Sequence, residues 1–189
     1  DEAKIEVCRT MEALKPFVQR GIPIVGLEPS CLLTLRDEYL VLFPGEASKS
    51  LADNSFMLEE FLAAEHDADQ LKLNLQALPT KQALLHGHCH QKAFAALSPV
   101  QKILGLIPGL EVKTIDSSCC GMAGSFGYEK EHYETSMAMG SLSLFPSIEA
   151  AQDDVLIVAD GTSCRGQIEH GTGRQALHVA RVLQMALPS

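Results

Sequence analysis

The densest chemistry in the chain lies in Asp116-Ser117-Ser118-Cys119-Cys120-Gly121-Met122-Ala123-Gly124-Ser125-Phe126-Gly127. Two adjacent thiols follow a predicted strand and lead into three glycines within seven residues. Neighbouring side chains on a regular strand point to opposite faces, so two neighbouring thiols serve one centre only where the backbone turns sharply. Gly121, Gly124 and Gly127 offer that turn, because glycine enters positive φ at little steric cost. Thiolates on a glycine-rich turn make a candidate metal or iron–sulfur site. The plainer readings of the same residues are two buried structural cysteines or a vicinal disulfide.

The remaining cysteines are Cys8, Cys31, Cys89 and Cys164, and the elements that position them are legible from periodicity. Short apolar runs predict strands at 22–27, 82–85, 111–115 and 154–159. Helical spacing marks 5–19, 31–42, 56–65, 91–97, 99–106, 128–150 with a break near Pro146, a short helix from Arg165, and 176–185. The segment 71–78 alternates weakly and reads as an edge strand or hairpin arm; 44–50 reads as a loop. Helices alternating with short, continuously apolar strands predict an α/β fold: a mostly parallel four-stranded sheet flanked by helices.

The predicted strands end in Glu28-Pro29-Ser30-Cys31, His86-Gly87-His88-Cys89-His90, Asp116-Ser117-Ser118-Cys119-Cys120 and Asp160-Gly161-Thr162-Ser163-Cys164. Parallel strands put their carboxyl ends along one edge, where open α/β sheets form ligand crevices. The expectation is therefore that Cys31, Cys89, Cys119, Cys120 and Cys164 converge there as metal or cofactor ligands. Five thiolates exceed the four of a tetrahedral zinc site, and thiolates favour iron–sulfur clusters, zinc and copper(I). Helices beginning after these cysteines would aim their N-terminal dipoles at the site. Cys8, in mid-helix, reads as an ordinary packed cysteine. His86, His88 and His90 could ligate, relay protons or support the sulfurs from behind. Glu28 and Asp160 stand at the same edge, as caps or proton carriers.

The 189 residues, 46% hydrophobic, suit one globular domain with at most a small extension. The formal charge of −9, with no basic cluster, argues against nucleic acid and anionic membranes as partners. No apolar run approaches the ~20 residues of a spanning helix. The charged start Asp1-Glu2-Ala3-Lys4 has no signal-peptide core and no initiator Met, and reads as a piece of a larger protein. Six cysteines in a chain of this length read as reduced thiols of a cytosolic protein, several of them ligands, more readily than as disulfide staples.

Cys89, Cys119-Cys120-Gly121 and the Gly161-Thr162-Ser163-Cys164 turn together resemble the CCG, or cysteine-rich, domain. That domain occurs in heterodisulfide reductase, in the iron–sulfur subunit of glycolate oxidase and in the membrane-anchoring subunit of anaerobic glycerol-3-phosphate dehydrogenase. His86-Gly87-His88-Cys89-His90-Gln91-Lys92, Cys119 to Tyr128, and Asp160 to Arg165 are closer still to the C-terminal part of fused FAD-linked D-2-hydroxy acid oxidases. The resemblance runs from about Gly21 to Val182, so residues 1–20 read as a helix continuing from an upstream region and 21–189 as the CCG-type domain. It implies an iron–sulfur redox module, [4Fe–4S] cubane or non-cubane, or else zinc. The implied partners are upstream FAD and ferredoxin-like domains of the same polypeptide, with electrons passed from flavin to an acceptor. It implies a cytoplasmic protein, or one peripheral to the inner membrane through the full-length chain. The family pattern closes with C-x-x-C; here Gly161 stands at its first cysteine, which leaves the cluster type open. A structural zinc domain that docks a larger enzyme, and a metal-free dithiol at Cys119-Cys120, are the alternatives.

Overall fold

The computed structural model describes Glu2 to Pro188. The chain divides into two compact units, one through Phe61 and one from Leu62.

In the first unit, α1 (Glu2–Val18) leads to β1 (Ile24–Gly26), and a short helix α2 (Pro29–Leu32) follows, continued by a 3-10 turn. Then come α3 (Glu38–Leu42), α4 (Glu46–Asp53) and β2 (Ser55–Met57), which pairs in parallel with β1, Val25 opposite Phe56. α1 packs on α4. Leu32, Leu33, Leu51 and Met57 are among the buried residues of this unit. Arg36 and Glu60 form a half-buried ion pair at 2.7 Å.

The first strand therefore does not join the four-stranded sheet, as the sequence suggests, but forms a separate two-stranded one. Its partner, Ser55-Phe56-Met57, reads as the start of a helix, yet the helix α5 (Leu58–Asp67) begins only after it. The predicted loop at 44–50 largely belongs to α4, where the buried Ser48 hydroxyl is spent on the carbonyls of Phe43 and Gly45.

The second unit carries β3 (Gln82–His86), α6 (Cys89–Ala93), α7 (Leu97–Leu104) and β4 (Glu111–Thr114). Then follow α8 (Tyr133–Ser141), α9 (Leu144–Glu149), β5 (Leu156–Ala159), α10 (Thr162–Thr172), β6 (Ala176–Leu177) and α11 (Val179–Met185). All pairings are parallel and the sheet order is β4-β3-β5-β6. The expected α/β architecture with a four-stranded parallel sheet is present. Its fourth strand is β6, at residues read from sequence as the head of the last helix.

Alternation along the strands sorts their side chains onto two covered faces, as parallel sheets require. Ala83, Leu85 and Val158 pack with Val100, Ile103 and Leu104 of α7 and Val179, Val182 and Leu183 of α11. Leu84, Ile157 and Ala159 pack on the other face with Leu144, Phe145 and Ile148 of α9 and Ile168 of α10. The Phe145 ring leaves no room for a Cβ at Gly140 or Gly171, where one would sit 2.3 and 2.4 Å from it. Residues 71–78 form no strand; they run as irregular chain whose Leu71, Leu75 and Leu78 dock on the first of these faces. The helix expected over 128–150 is interrupted: Ser143 stands at the N-cap of α9 and Pro146 in its first turn, where a missing N–H costs least.

Candidate metal centre

The strand order decides where the site lies. From β3 the chain crosses to β4 on one side, then returns past β3 to β5 on the other. β3 and β5 are thus neighbours from which connections diverge, and the crevice beyond their carboxyl ends is where open α/β sheets bind ligands. His86, the last residue of β3, is in register with Ala159, the last of β5. Cys89 opens α6 after β3, Cys119 and Cys120 lie in the loop after β4, and Cys164 lies in the first turn of α10 after β5.

These four sulfurs form a chain of contacts. Cys89 meets Cys119, Cys119 meets Cys120, and Cys120 meets Cys164. The chain runs inward, from exposed Cys89 through half-buried Cys119 to buried Cys120 and Cys164, and all four are free thiols. Cys120 and Cys164 are at the same time members of the apolar cluster on the α9–α10 face.

Crowded thiols cannot all ionise at their ordinary value, and they divide the protons between them. Cys119 is driven strongly down by the thiols of Cys120 and Cys89 and then by the N–H groups of Gly121 and Ala123. Cys164 is pulled down to about 5, first by Cys120 and then, against its burial, by His86 and His88. Cys120 is pushed far up by its contacts with Cys119 and Cys164 and by burial, and Cys89 by Cys119 and burial. Two thiolates and two thiols therefore alternate along the chain.

The turn that bunches Cys119 and Cys120 depends on specific backbone. Gly121 has φ +101°, and a Cβ there would lie 2.1 Å from the Ser136 carbonyl oxygen. Its N–H points at Cys119 Sγ, 3.3 Å away. Ala123 (φ 39°) and Gly124 (φ 69°) continue in the left-handed region. Gly127 does not share the positive φ expected of it. A Cβ there would meet Met122 Sδ and Ser136 Oγ, both at 2.6 Å, so it is space that requires glycine.

The histidines separate by role. His86 is 1% exposed; its Nδ1 is hydrogen-bonded to Ser117 Oγ at 2.9 Å, and its shielded Nε2 makes no well-formed hydrogen bond, the Cys164 thiol interacting with the ring. A ring nitrogen of His86 and the sulfurs of Cys120 and Cys164 all lie within 4.8 Å of one another. Leaving a buried polar atom unpaired costs about 1–3 kcal/mol. His88 is the N-cap of α6: its Nδ1 accepts the His90 N–H at 3.2 Å, while Gln91 Oε1 accepts the His88 N–H at 3.1 Å. His90, one residue into the helix after Cys89, is half-buried with its ring edge-on to that of His88.

Residues around the sulfurs brace this arrangement. Lys92 Nζ donates to the carbonyls of Ser117 and Ser118, directly before the cysteine pair. Burial lowers the Lys92 ammonium, and the neighbouring cysteines, Cys164 first, work against that. Asp160 is 1% exposed and accepts from Gln91 Nε2 (2.9 Å) and the Val179 N–H (3.0 Å), with His178 Nε2 3.6 Å away. It ties β5 to α6 and α11 in an interior structural role. Ser117 and Lys92 are the supporting residues that sequence reasoning missed. Gln91 could have been found, since it stands three residues after His88, the spacing of a capping box.

At Gly161 the backbone is ordinary (φ −69°, ψ 129°), so space alone matters. A Cβ would stand 2.6 Å from the His88 ring and 3.1 Å from Cys164 Sγ.

In the first unit, Cys31 is the third residue of α2 and exposed, and Glu28 accepts from Ser30 Oγ at 2.8 Å. Cys8 is exposed on α1 and not packed as its helical position suggested.

The donors suit a thiophilic metal. Four cysteines from three loops, with a buried unpaired imidazole nitrogen beside the two deepest, form a soft, nitrogen-and-sulfur set. Among the described residues no helix is long and apolar enough to cross a membrane.

The chain is 34% identical over 188 residues to a subunit of the anaerobic glycerol-3-phosphate dehydrogenase of Escherichia coli strain K12, across 99% of its own length. It is 29% identical over 176 residues to D-2-hydroxyglutarate dehydrogenase of Pantoea ananatis, and 25% over 176 residues to that of Escherichia coli K12. It spans 46% of the length of the first and 16% of each of the others, so it corresponds to one part of longer dehydrogenase proteins. No family model matches, and no solved structure matches.

Proposed function

We propose that the second unit is the redox-centre domain of a flavin-linked dehydrogenase, in which Cys89, Cys119, Cys120 and Cys164 hold an iron–sulfur cluster of the [4Fe–4S] class. The observation that carries the reading is the inward-running chain of four free thiols, each in contact with the next, at the switch point of the sheet. Such a cluster takes up and hands on electrons one at a time. The chain's own residues set the conditions for this. The N–H groups of Gly121 and Ala123 and the Lys92 ammonium offset thiolate charge, and the apolar neighbours of Cys120 and Cys164 exclude water. Cys89 is the exposed corner, through which electrons enter or leave.

We further propose an FAD domain of the longer polypeptide or complex as the electron source, with ferredoxin-type clusters between; the similarity to parts of an anaerobic glycerol-3-phosphate dehydrogenase and of D-2-hydroxyglutarate dehydrogenases supports this reading. A 2-hydroxy acid is the proposed substrate class, and the full-length protein is proposed to work in the cytoplasm or at the inner face of the membrane.

The test is the pair Cys119→Ser and Cys120→Ser in the full-length protein purified without oxygen. Both should lose the broad visible absorbance of the cluster while keeping the far-ultraviolet circular dichroism of the sheet. Absorbance retained in both variants overturns the assignment. Zinc without sulfide in the unaltered protein replaces it with a structural zinc domain, and thiols that cycle to a disulfide without metal replace it with a dithiol site.

A further inference from the structure

We propose that His86 is a nitrogen ligand of this centre, binding through Nε2 beside Cys120 and Cys164. The inference rests on the metal reading above and adds to it a fifth donor that is not sulfur; since four cysteines fill the terminal positions of a cubane cluster, it goes with the non-cubane form. It starts from an imbalance in the protein itself. His86 is 1% exposed at the end of a central strand, and its Nε2 makes no well-formed hydrogen bond, with the Cys164 thiol interacting with the ring. The ring's polar neighbours are Ser117 Oγ on Nδ1 and the Cys164 thiol, so its second nitrogen is turned toward the sulfurs.

The direction of the ring matters more than its presence. Nδ1 is engaged by Ser117 Oγ at 2.9 Å, which leaves Nε2 as the ring nitrogen open to a metal. Its ring nitrogen and the two buried sulfurs lie within 4.8 Å of one another. Donors bound to one metal at about 2.0–2.3 Å stand about 3.5–4 Å apart, so the trio closes on an ion with small side-chain rotations. Ser117 supplies what metal-bound histidines ordinarily have, a partner on the other ring nitrogen that fixes tautomer and plane. With Nδ1–H donated to Ser117 Oγ, the Nε2 lone pair faces the sulfurs.

His90 also has a shielded ring nitrogen without a hydrogen-bond partner, but it is His86 whose ring nitrogen groups with the two buried sulfurs. The His88 Nδ1 is occupied as the helix cap, and its ring lies against Gly161. The same placement connects the nitrogen donor to the altered C-x-x-C. Where a cysteine is missing at Gly161, the deep end of the site gains an imidazole. Replacing thiolate by neutral imidazole removes negative charge and raises the reduction potential of an iron–sulfur centre.

The experiment is pulsed electron paramagnetic resonance on the reduced full-length protein, with histidine labelled with nitrogen-15, alongside iron and sulfide analysis. A strong histidine-nitrogen coupling is expected, lost in His86→Ala and kept in His88→Ala and His90→Ala. His86→Cys should rebuild a cluster without the coupling and with a lower midpoint potential. Ser117→Ala serves as the second variant, so that the test does not depend on assembly of a cluster in His86→Ala. It should keep the coupling and shift the potential, which a merely structural serine would not do. Iron and sulfide in full measure without a histidine coupling overturns the assignment of His86 and leaves the proposed function standing. Absence of iron and sulfide overturns both.

Discussion

Gly161 offers a quantitative test of how the metal loop is packed. Its backbone conformation suits any residue, so Gly161→Ala changes only the space occupied. The new Cβ would sit 2.6 Å from the His88 ring. Carbon atoms pack at about 3.5–4.0 Å, so the ring must retreat by about 1 Å. Yet the ring is held by the cap it forms on α6, through Nδ1 and the His90 N–H at 3.2 Å. Giving up a side-chain cap costs about 0.5–2 kcal/mol, and forcing an extra methyl into packed surroundings costs about 1–3 kcal/mol. The two are alternatives more than a sum, so the metal-free protein should lose about 1–3 kcal/mol of unfolding free energy. Urea unfolding followed by circular dichroism reads this directly. A double-mutant cycle isolates the cause: with the ring gone, His88→Ala/Gly161→Ala should be no less stable than His88→Ala alone. Full stability in Gly161→Ala, or strict additivity in the cycle, would refute the reasoning. Gly161→Cys carries the same Cβ, so a cysteine here and the His88 ring in its present position exclude each other.

Three further outcomes are expected. Gly121→Ala places a Cβ 2.1 Å from a backbone carbonyl at φ +101°, and should cost more than about 3 kcal/mol and abolish metal loading, by urea unfolding and metal analysis. In reduced, metal-free protein the Cys164 thiolate should persist at neutral pH and be lost as the pH falls through about 5, seen as thiolate absorbance missing from Cys164→Ser. Its lowered value stabilises the fold fully above the ordinary 9.0 and ever less as the pH falls to about 5, whereas the raised Cys89 and Cys120 must shed protons to bind metal, so metal affinity should rise with pH. Lys92→Met removes both hydrogen bonds to the Ser117 and Ser118 carbonyls and the cation beside the thiolates; it should cost about 1–3 kcal/mol in stability and lower the midpoint potential of the loaded protein.

Much of this was legible in the residues, and the failures have physical causes. β3 and β5 centre on runs of Ala, Leu, Val and Ile covered on both faces, and such runs declare themselves, whereas β4, Glu111-Val112-Lys113-Thr114, is a largely exposed edge strand. β2 and β6 are three and two residues long, too short for any period, and exist because a neighbouring strand offers its edge. Residues 71–78 look alternating but spend their leucines on the core without pairing as a strand. For the site, the strand ends pointed to Cys31, Cys89, Cys119, Cys120 and Cys164; the structure gives contacts among the last four, while Cys31 stands exposed in the first unit. Three histidines within five residues could not be told apart by spacing. Position and hydrogen bonding distinguish them: His88 caps α6, and of the two with a shielded nitrogen lacking a partner, His86 and His90, it is His86 that stands beside Cys120 and Cys164. Ser117 and Lys92 were invisible because a hydroxyl or an ammonium acquires its role only once β4 has delivered its loop against α6.

The most direct measurement is iron, zinc and acid-labile sulfide, with the visible spectrum, on full-length protein purified without oxygen. The account predicts iron and sulfide in near-equal amounts and a broad brown absorbance that disappears in Cys120→Ser. Zinc with no sulfide, or no metal with thiols that oxidise to a disulfide, would contradict it.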